Sequence, residues 1–238
     1  MGNKETALHS HPHDCFIGSQ PVSCISVVPI FNHLEKEQMN EIMKTVRSIS
    51  FSKGEIIYRA GQQSDSLYIV NKGKIKIYRL SESGKEQLVR LLKPGDFTGE
   101  LALFKETVHE SFAEAMEKTR VCLIKRSDLQ SFLLKYPSIS LKLLAEFANR
   151  LEQSEKQFSR FVTEKVETRL ALFLAECMEN KGQNQFVLPM SKKDLASYLG
   201  TTPETLSRKL ADLERKGYIR QKAHKQIEIL DIDGLLLL

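Results

Sequence analysis

No run of apolar residues in this chain approaches the ~18 needed to cross a bilayer. The opening stretch MGNKETALHSHPHD lacks the apolar core of a signal peptide. Gly2 and Thr6 fit the M-G-x-x-x-[ST] acylation pattern, but so loose a match arises readily by chance. A cytoplasmic location with no membrane partner is therefore expected. Cysteines are few: Cys15, Cys24, Cys122 and Cys177. In a reducing compartment these are core residues, metal ligands or redox sensors rather than a structural disulfide frame. Nucleophile motifs, a phosphate-binding P-loop and a spaced metal triad are all missing, so nothing points to an enzyme. The formal net charge of +5 is too small to argue for a polyanionic partner by itself.

What is present suits two domains with linking elements, in 238 residues of which 41% are hydrophobic. Residues up to about Val28 are irregular, with Pro12, Gly18 and Pro21, three histidines (His9, His11, His13) and two cysteines. From about Phe51 to Ile124 come short β-type runs: EIIYRA, SLYIV, KIKIYRL, QLVRLL and VCLIK. Turn signals such as Asn71-Lys72-Gly73, Ser83-Gly84 and Pro94-Gly95-Asp96 separate them, as in a β-sandwich or roll. The apolar Val27-Val28-Pro29-Ile30-Phe31 that follows Cys24 is expected to dock on that roll. Glycine and proline then thin out between Pro137 and Asn180, where the pattern is helical. Leu144, Phe147, Leu151, Ser154, Phe158 and Phe161 follow a 3-4-3-4-3 spacing, the seam of a helix pairing with a second copy. Ser154 interrupts that seam and makes it adjustable.

The sharpest signal is SKKDLASYLGTTPETLSRKLADLERKGYI, Ser191 to Ile219. Ser191 can cap one helix, with Asp194 three residues on, and Gly200 ends it. Thr202 can cap a second, with Pro203 at its first position and Gly217 as its stop. On the second helix Leu206, Leu210 and Leu213 share one face, while Glu204, Ser207 and Arg208 share the other. An apolar back and a hydrogen-bonding front near the N-terminus are what a DNA-reading helix requires, with Thr202 and Thr205 beside it. Between Thr201 and Lys225 seven basic residues stand against three acidic ones, a net of +4, and Lys192 and Lys193 open the preceding helix. Phosphate contacts need such an excess. After Gly217, YIRQKAHKQIEIL alternates like the two-stranded wing of a winged helix. Double-stranded DNA and a second copy of the chain are the expected partners, with RNA polymerase a further candidate.

This order of elements resembles the CRP/FNR regulators, in its FNR-like branch of the FLP type. The resemblance covers nearly the whole chain. It rests on GKIKIYRLSESGKEQLVRLLKPGDFTGELALF (Gly73 to Phe104) and on TTPETLSRKL. It implies an α+β fold: an arm over residues 1–28, a cyclic-nucleotide-binding-like β-roll sensor over 29–135, a dimerisation helix over 136–165, and a winged helix-turn-helix over 166–238. The E-x-x-S-R signature, here Glu204, Ser207 and Arg208, implies a TTGAT-type half-site and its inverted repeat. Base chemistry agrees, since Arg pairs with guanine O6 and N7 and Glu accepts from cytosine N4. Members that bind cyclic AMP hold its phosphate with an Arg-Ser pair. Here Ser111 matches, but Glu110 stands where the arginine belongs, so cyclic AMP is not expected to bind in that way.

FNR proteins carry a [4Fe–4S] cluster on four thiolates. Cys122 matches the distant ligand and Cys15 and Cys24 lie in the arm, but Gly18 occupies the place of the middle cysteine. FLP-type regulators resemble this chain in having one cysteine before the roll and one within it, which suits a reversible disulfide between Cys24 and Cys122. His9, His11, His13 and Cys15 are a third, looser set for zinc or copper. Cys122 as an ordinary buried strand residue, a roll that binds a small-molecule effector, and a nucleotide-binding module gating a partner all stay open. Cys177, near Phe173 and Leu174, reads as core.

Overall fold

The short β-type runs of the first half become ten strands in a computed structural model, which describes residues 25–238. Cys15, Cys24, His9, His11 and His13 lie outside the described residues. The strands are β1 (Arg47–Phe51), β2 (Ile56–Tyr58), β3 (Gln63–Ser64), β4 (Ser66–Lys72), β5 (Ile75–Leu80), β6 (Glu86–Leu92), β7 (Phe97–Thr98), β8 (Thr107–Val108), β9 (Phe112–Ala115) and β10 (Thr119–Lys125). They form two four-stranded sheets, in the orders β1-β10-β4-β7 and β2-β9-β5-β6, with β3 and β8 paired separately. Side chains alternate between faces along a strand, and two cores result. Val70 of β4 and Val121 of β10 face the second sheet and pack with Tyr58, Ile75, Ile77, Leu92 and Ala113. Their neighbours Leu67, Ile69, Cys122 and Ile124 face the other way, onto helices.

That second core also takes in the start of the described chain. Ile25, Val28, Ile30 and Phe31 are wholly buried in it. A Cβ on Gly95 would stand 2.8 Å from the Val27 carbonyl oxygen, so the Pro94-Gly95-Asp96 turn abuts this segment. The expected docking of the residues after Cys24 onto the roll is thus observed. Helices α1 (Lys36–Met43) and α2 (Arg126–Lys135) cover the same core, together with the first turns of α3 (Pro137–Thr163), whose Ile139 and Leu143 are buried.

The helical stretch of the sequence divides in two, α3 and α4 (Val166–Lys181). The exposed apolar face of α3 does not follow the spacing Leu144, Phe147, Leu151, Ser154, Phe158, Phe161. Phe147 packs against the first unit's core and meets Phe104 edge-on at 5.7 Å. Phe161 lies against Gly200 and under the Arg169 guanidinium, 5.1 Å from the ring centroid. The exposed stripe instead runs Leu141, Leu144, Ala148, Leu151, Glu155, Phe158, Val162, again in steps of three and four. Leu151 is 61% exposed and Phe158 71%. At ~100° per residue this stripe lies roughly 110° around the helix from the inward face of Ile139, Leu143, Phe147, Arg150 and Phe161. Ser154 falls on the side of the inward face, roughly 90° from the centre of the stripe, though it is itself exposed, so Glu155 is the polar residue inside the apolar stripe.

Contacts divide the chain into two units. One is the described part of Met1–Leu80 with Val89–Arg150, the other Ser81–Leu88 with Leu151–Leu238. In the second, α4 leads to β11 (Gln185–Val187), α5 (Lys192–Tyr198), α6 (Pro203–Arg215), β12 (Ile219–Lys222), β13 (Gln226–Ile229) and α7 (Ile232–Leu236). The two expected wing strands are joined by β11, giving the order β11-β13-β12. Among the described residues no helix is long and apolar enough to cross a membrane.

Candidate nucleic-acid interface

Each cap and stop that marks α5 and α6 in the sequence is found in its place. Ser191 Oγ accepts the Asp194 N–H at 3.0 Å, and Thr202 Oγ1 accepts the Thr205 N–H at 3.3 Å. Pro203 is the first residue of α6. Gly200, between the helices, has φ +66° and an ideal Cβ there would lie 2.8 Å from the Phe161 ring. Gly200→Ala is therefore expected to lower the stability of this unit by ~1–3 kcal/mol, read as a drop in thermal midpoint. An unchanged midpoint would show that the turn can relax.

Helix α6 shows two opposite faces. Leu206, Leu210 and Leu213 are fully buried. Glu204, Ser207 and Arg208 are exposed, Thr202 is exposed beside them and Thr205 is half-buried. Arg208 and Lys193 make no ion pair among the described residues, and Lys192 Nζ reaches only the neutral Gln221 Oε1, at 3.2 Å. The Glu204 carboxyl is held below its usual range by its own backbone N–H and then by the Thr202 hydroxyl. It is thus ionised at the helix N-terminus, where the helix dipole favours a negative charge.

The count of basic residues overstates the free positive charge. Lys209 and Lys216 both bind Glu167, at 2.9 and 2.7 Å. Arg220 and Lys222 converge on Glu228, at 3.3 and 3.0 Å, and Arg215 pairs with Asp212. These contacts hold the carboxyls of Glu167 and Glu228 below their usual range, chiefly through hydrogen bonds from Lys209 and Lys222. Glu167 lies more than 40 residues from either lysine, so composition alone does not expose the pairing. Of the basic residues counted between Thr201 and Lys225, with Lys192 and Lys193, those without an ion pair among the described residues are Arg208, Lys192, Lys193 and Lys225, the last at the wing tip, where His224 and Lys225 both adopt positive φ, +58° and +63°. The expected two-stranded wing is observed, but the sequence does not show where its tip lies, because AHK carries no glycine to signal so tight a turn.

In the first unit, Glu110 is tied to Arg79 at 2.5 Å on the surface. Cys122 is fully buried, and the Asn71 amide donates to its Sγ at 3.7 Å. It is the only one of the candidate cluster ligands within the described residues. With Gly18 at the middle cysteine's place, the set falls one thiolate short of the four that a cluster needs. Cys177 is half-buried, and burial pushes its thiol up to about 11, which makes it a poor nucleophile.

Comparison with known proteins agrees with this geometry. Residues 48–136 match the family model of the cyclic nucleotide-binding domain, and residues 168–238 that of the Crp-like helix-turn-helix domain. The chain is 35% identical over 213 residues to a probable transcriptional regulator flp of Lacticaseibacillus casei, covering 90% of this chain and 96% of that one. It is 32% identical to electron transport regulator A of Shewanella oneidensis, over 96% of this chain and 90% of the relative. The solved structure of FixK2 from Bradyrhizobium japonicum superposes with a TM-score of 0.72 at 30% identity, covering 81% of this chain and 96% of that one. The chain thus belongs to the CRP/FNR family and is a DNA-binding transcription regulator, not an enzyme.

Proposed function

We propose that the protein is a dimeric regulator reading TTGAT-like inverted repeats through Glu204, Ser207 and Arg208, with its DNA binding controlled by redox state. The observation that carries the DNA reading is Arg208: exposed, without an ion pair among the described residues, and set beside Ser207 and Glu204 on a helix whose opposite face is fully buried. Thr202 and Thr205 flank the base-reading face, and Lys192 and Lys193 reach phosphates. The exposed stripe from Leu141 to Val162 joins two copies, which doubles the number of bases read. RNA polymerase is the partner such a bound dimer would act upon. Titration of a labelled inverted repeat against a scrambled duplex, without added nucleotide, tests the reading. Equal affinity for both would sink it.

Redox control runs through Cys24 and Cys122. Support comes from the burial of Ile25, the residue after Cys24, in the same core as Cys122. A disulfide needs Cα atoms within about 7 Å. Forming it removes two electrons and two protons from the pair, with oxygen or an added oxidant as acceptor. Because Cys122 is shielded from solvent, a thiol tethered one residue before the buried Ile25 has readier access to it than a dissolved one. Cys24→Ser and Cys122→Ser are each expected to abolish the oxidant response of DNA binding, while Cys15→Ser leaves it intact. A requirement for all three, with iron and sulfide in anaerobic protein, would replace the two-thiol switch with a cluster. A response that survives every substitution would remove both.

A further inference from the structure

The inward face of α3 carries one charged group into the first unit. Arg150 Nη1 donates to Glu100 Oε1 at 2.7 Å and Nη2 to the Phe97 carbonyl at 3.0 Å. Its guanidinium lies over the Phe97 ring, 4.1 Å from the centroid. Arg90 Nη2 stands 3.7 Å from the same Glu100 oxygen. The Glu100 side chain is 14% exposed and that of Arg150 20%. Glu100 Oε2 is buried with no hydrogen-bond partner among the described residues. Gly99 sets this carboxylate in place: its φ is +83°, and a Cβ there would lie 2.4 Å from the Ser66 carbonyl oxygen.

A buried ion pair is weak evidence of stability, because losing hydration offsets much of the attraction, and packed apolar residues often replace such a pair without loss. What a guanidinium fork supplies is direction, since two hydrogen bonds at fixed angles hold it. Ile139, Leu143 and Phe147 on the same face make apolar contacts, which are non-directional and tolerate a small rotation of the helix. Arg150 does not tolerate it. We infer that Arg150 is a positioning residue for DNA recognition: bound to Glu100 and the Phe97 carbonyl, it fixes the rotational setting of α3 and so selects the face offered to a second copy of the chain. Glu100 thereby receives its cation from the chain's own helix rather than from an effector. The inference rests on the dimeric reading given above.

Arg150→Met, Arg150→Lys and the double variant Glu100→Leu/Arg150→Met separate positioning from packing. Each is assayed for thermal midpoint, sedimentation, and binding to an isolated half-site and to the inverted repeat. The double variant is expected to melt no lower than wild type and to bind the half-site equally well. Its affinity for the inverted repeat should fall at least about tenfold, because misdirected helices forfeit part of the effective concentration that joins the half-sites. Arg150→Lys keeps the charge but loses the fork, and should show a smaller loss in the same assay. Wild-type affinity of the double variant for the inverted repeat would overturn the inference and leave the pair as packing. An equal loss on half-site and repeat would overturn it too, by placing the effect in the reading unit. A failure of the dimeric reading is distinguishable, because wild-type protein would then itself sediment as a monomer and favour the repeat no more than the half-site.

Discussion

Replacing Arg208 by alanine is expected to weaken binding to a TTGAT-like site by ~1–3 kcal/mol per half-site and to relax discrimination at its G·C pair. The size follows from the contact. A guanidinium presents two parallel N–H groups to guanine O6 and N7, and no other base pair offers two acceptors with that spacing in the major groove. Arg208 is free to make the contact: it is exposed and engages no carboxylate among the described residues, unlike Lys209, Arg215 and Lys216 around it. Glu204 must leave its own helix N-terminus to accept from cytosine N4, so Glu204→Ala should act at a different base and with a smaller net loss. Lys193→Ala is the control for phosphate contacts. It should lower affinity for all sequences alike and reduce the salt dependence of binding by about one counterion. If Arg208→Ala kept the wild-type ranking of half-sites, α6 would not be the reading helix.

The helix-turn-helix is legible in the sequence because its signals are local. A capping hydroxyl at Ser191 or Thr202, a proline at the first helical position and glycines at Gly200 and Gly217 act within a turn of chain. The strands of the roll are legible through their two-residue alternation, whereas the three-residue β11 is too short to show a period. What sequence spacing cannot give depends on distant partners. Steps of three and four fit Leu144, Leu151 and Phe158 in either of two registers. Only the packing of Phe147 and Phe161 within their own chain shows that the free face turns toward Ala148, Glu155 and Val162. Composition overstates the free positive charge for the same reason, since Glu167 and Glu228, both outside the counted segment, engage four of its cations and cancel two of their charges. The pair of Glu100 and Arg150 is equally hidden, because Arg150 stands 50 residues from its partner and carries no motif.

Leu151→Glu is expected to give a monomer that retains half-site binding and loses the advantage of the inverted repeat. Leu151 lies at the centre of the exposed stripe, between Leu144 and Phe158, and its symmetry mate would face it across a two-fold axis. A carboxylate there loses the apolar contact and sets two like charges opposite each other in a desolvated seam. Without the seam each half-site binds independently, and the gain from linkage, about 10²–10⁴ in affinity, disappears. Glu155 gives the test a second direction. It is the polar position within the same stripe, so Glu155→Leu should strengthen association and lower the concentration at which the repeat is occupied. Ser154→Leu, roughly 90° around the helix from the centre of the stripe, should do less, although the 3-4-3-4-3 spacing alone would rank it first. Sedimentation of the three variants decides the register, and a Leu151→Glu protein that remains dimeric and keeps full repeat affinity would move the interface elsewhere.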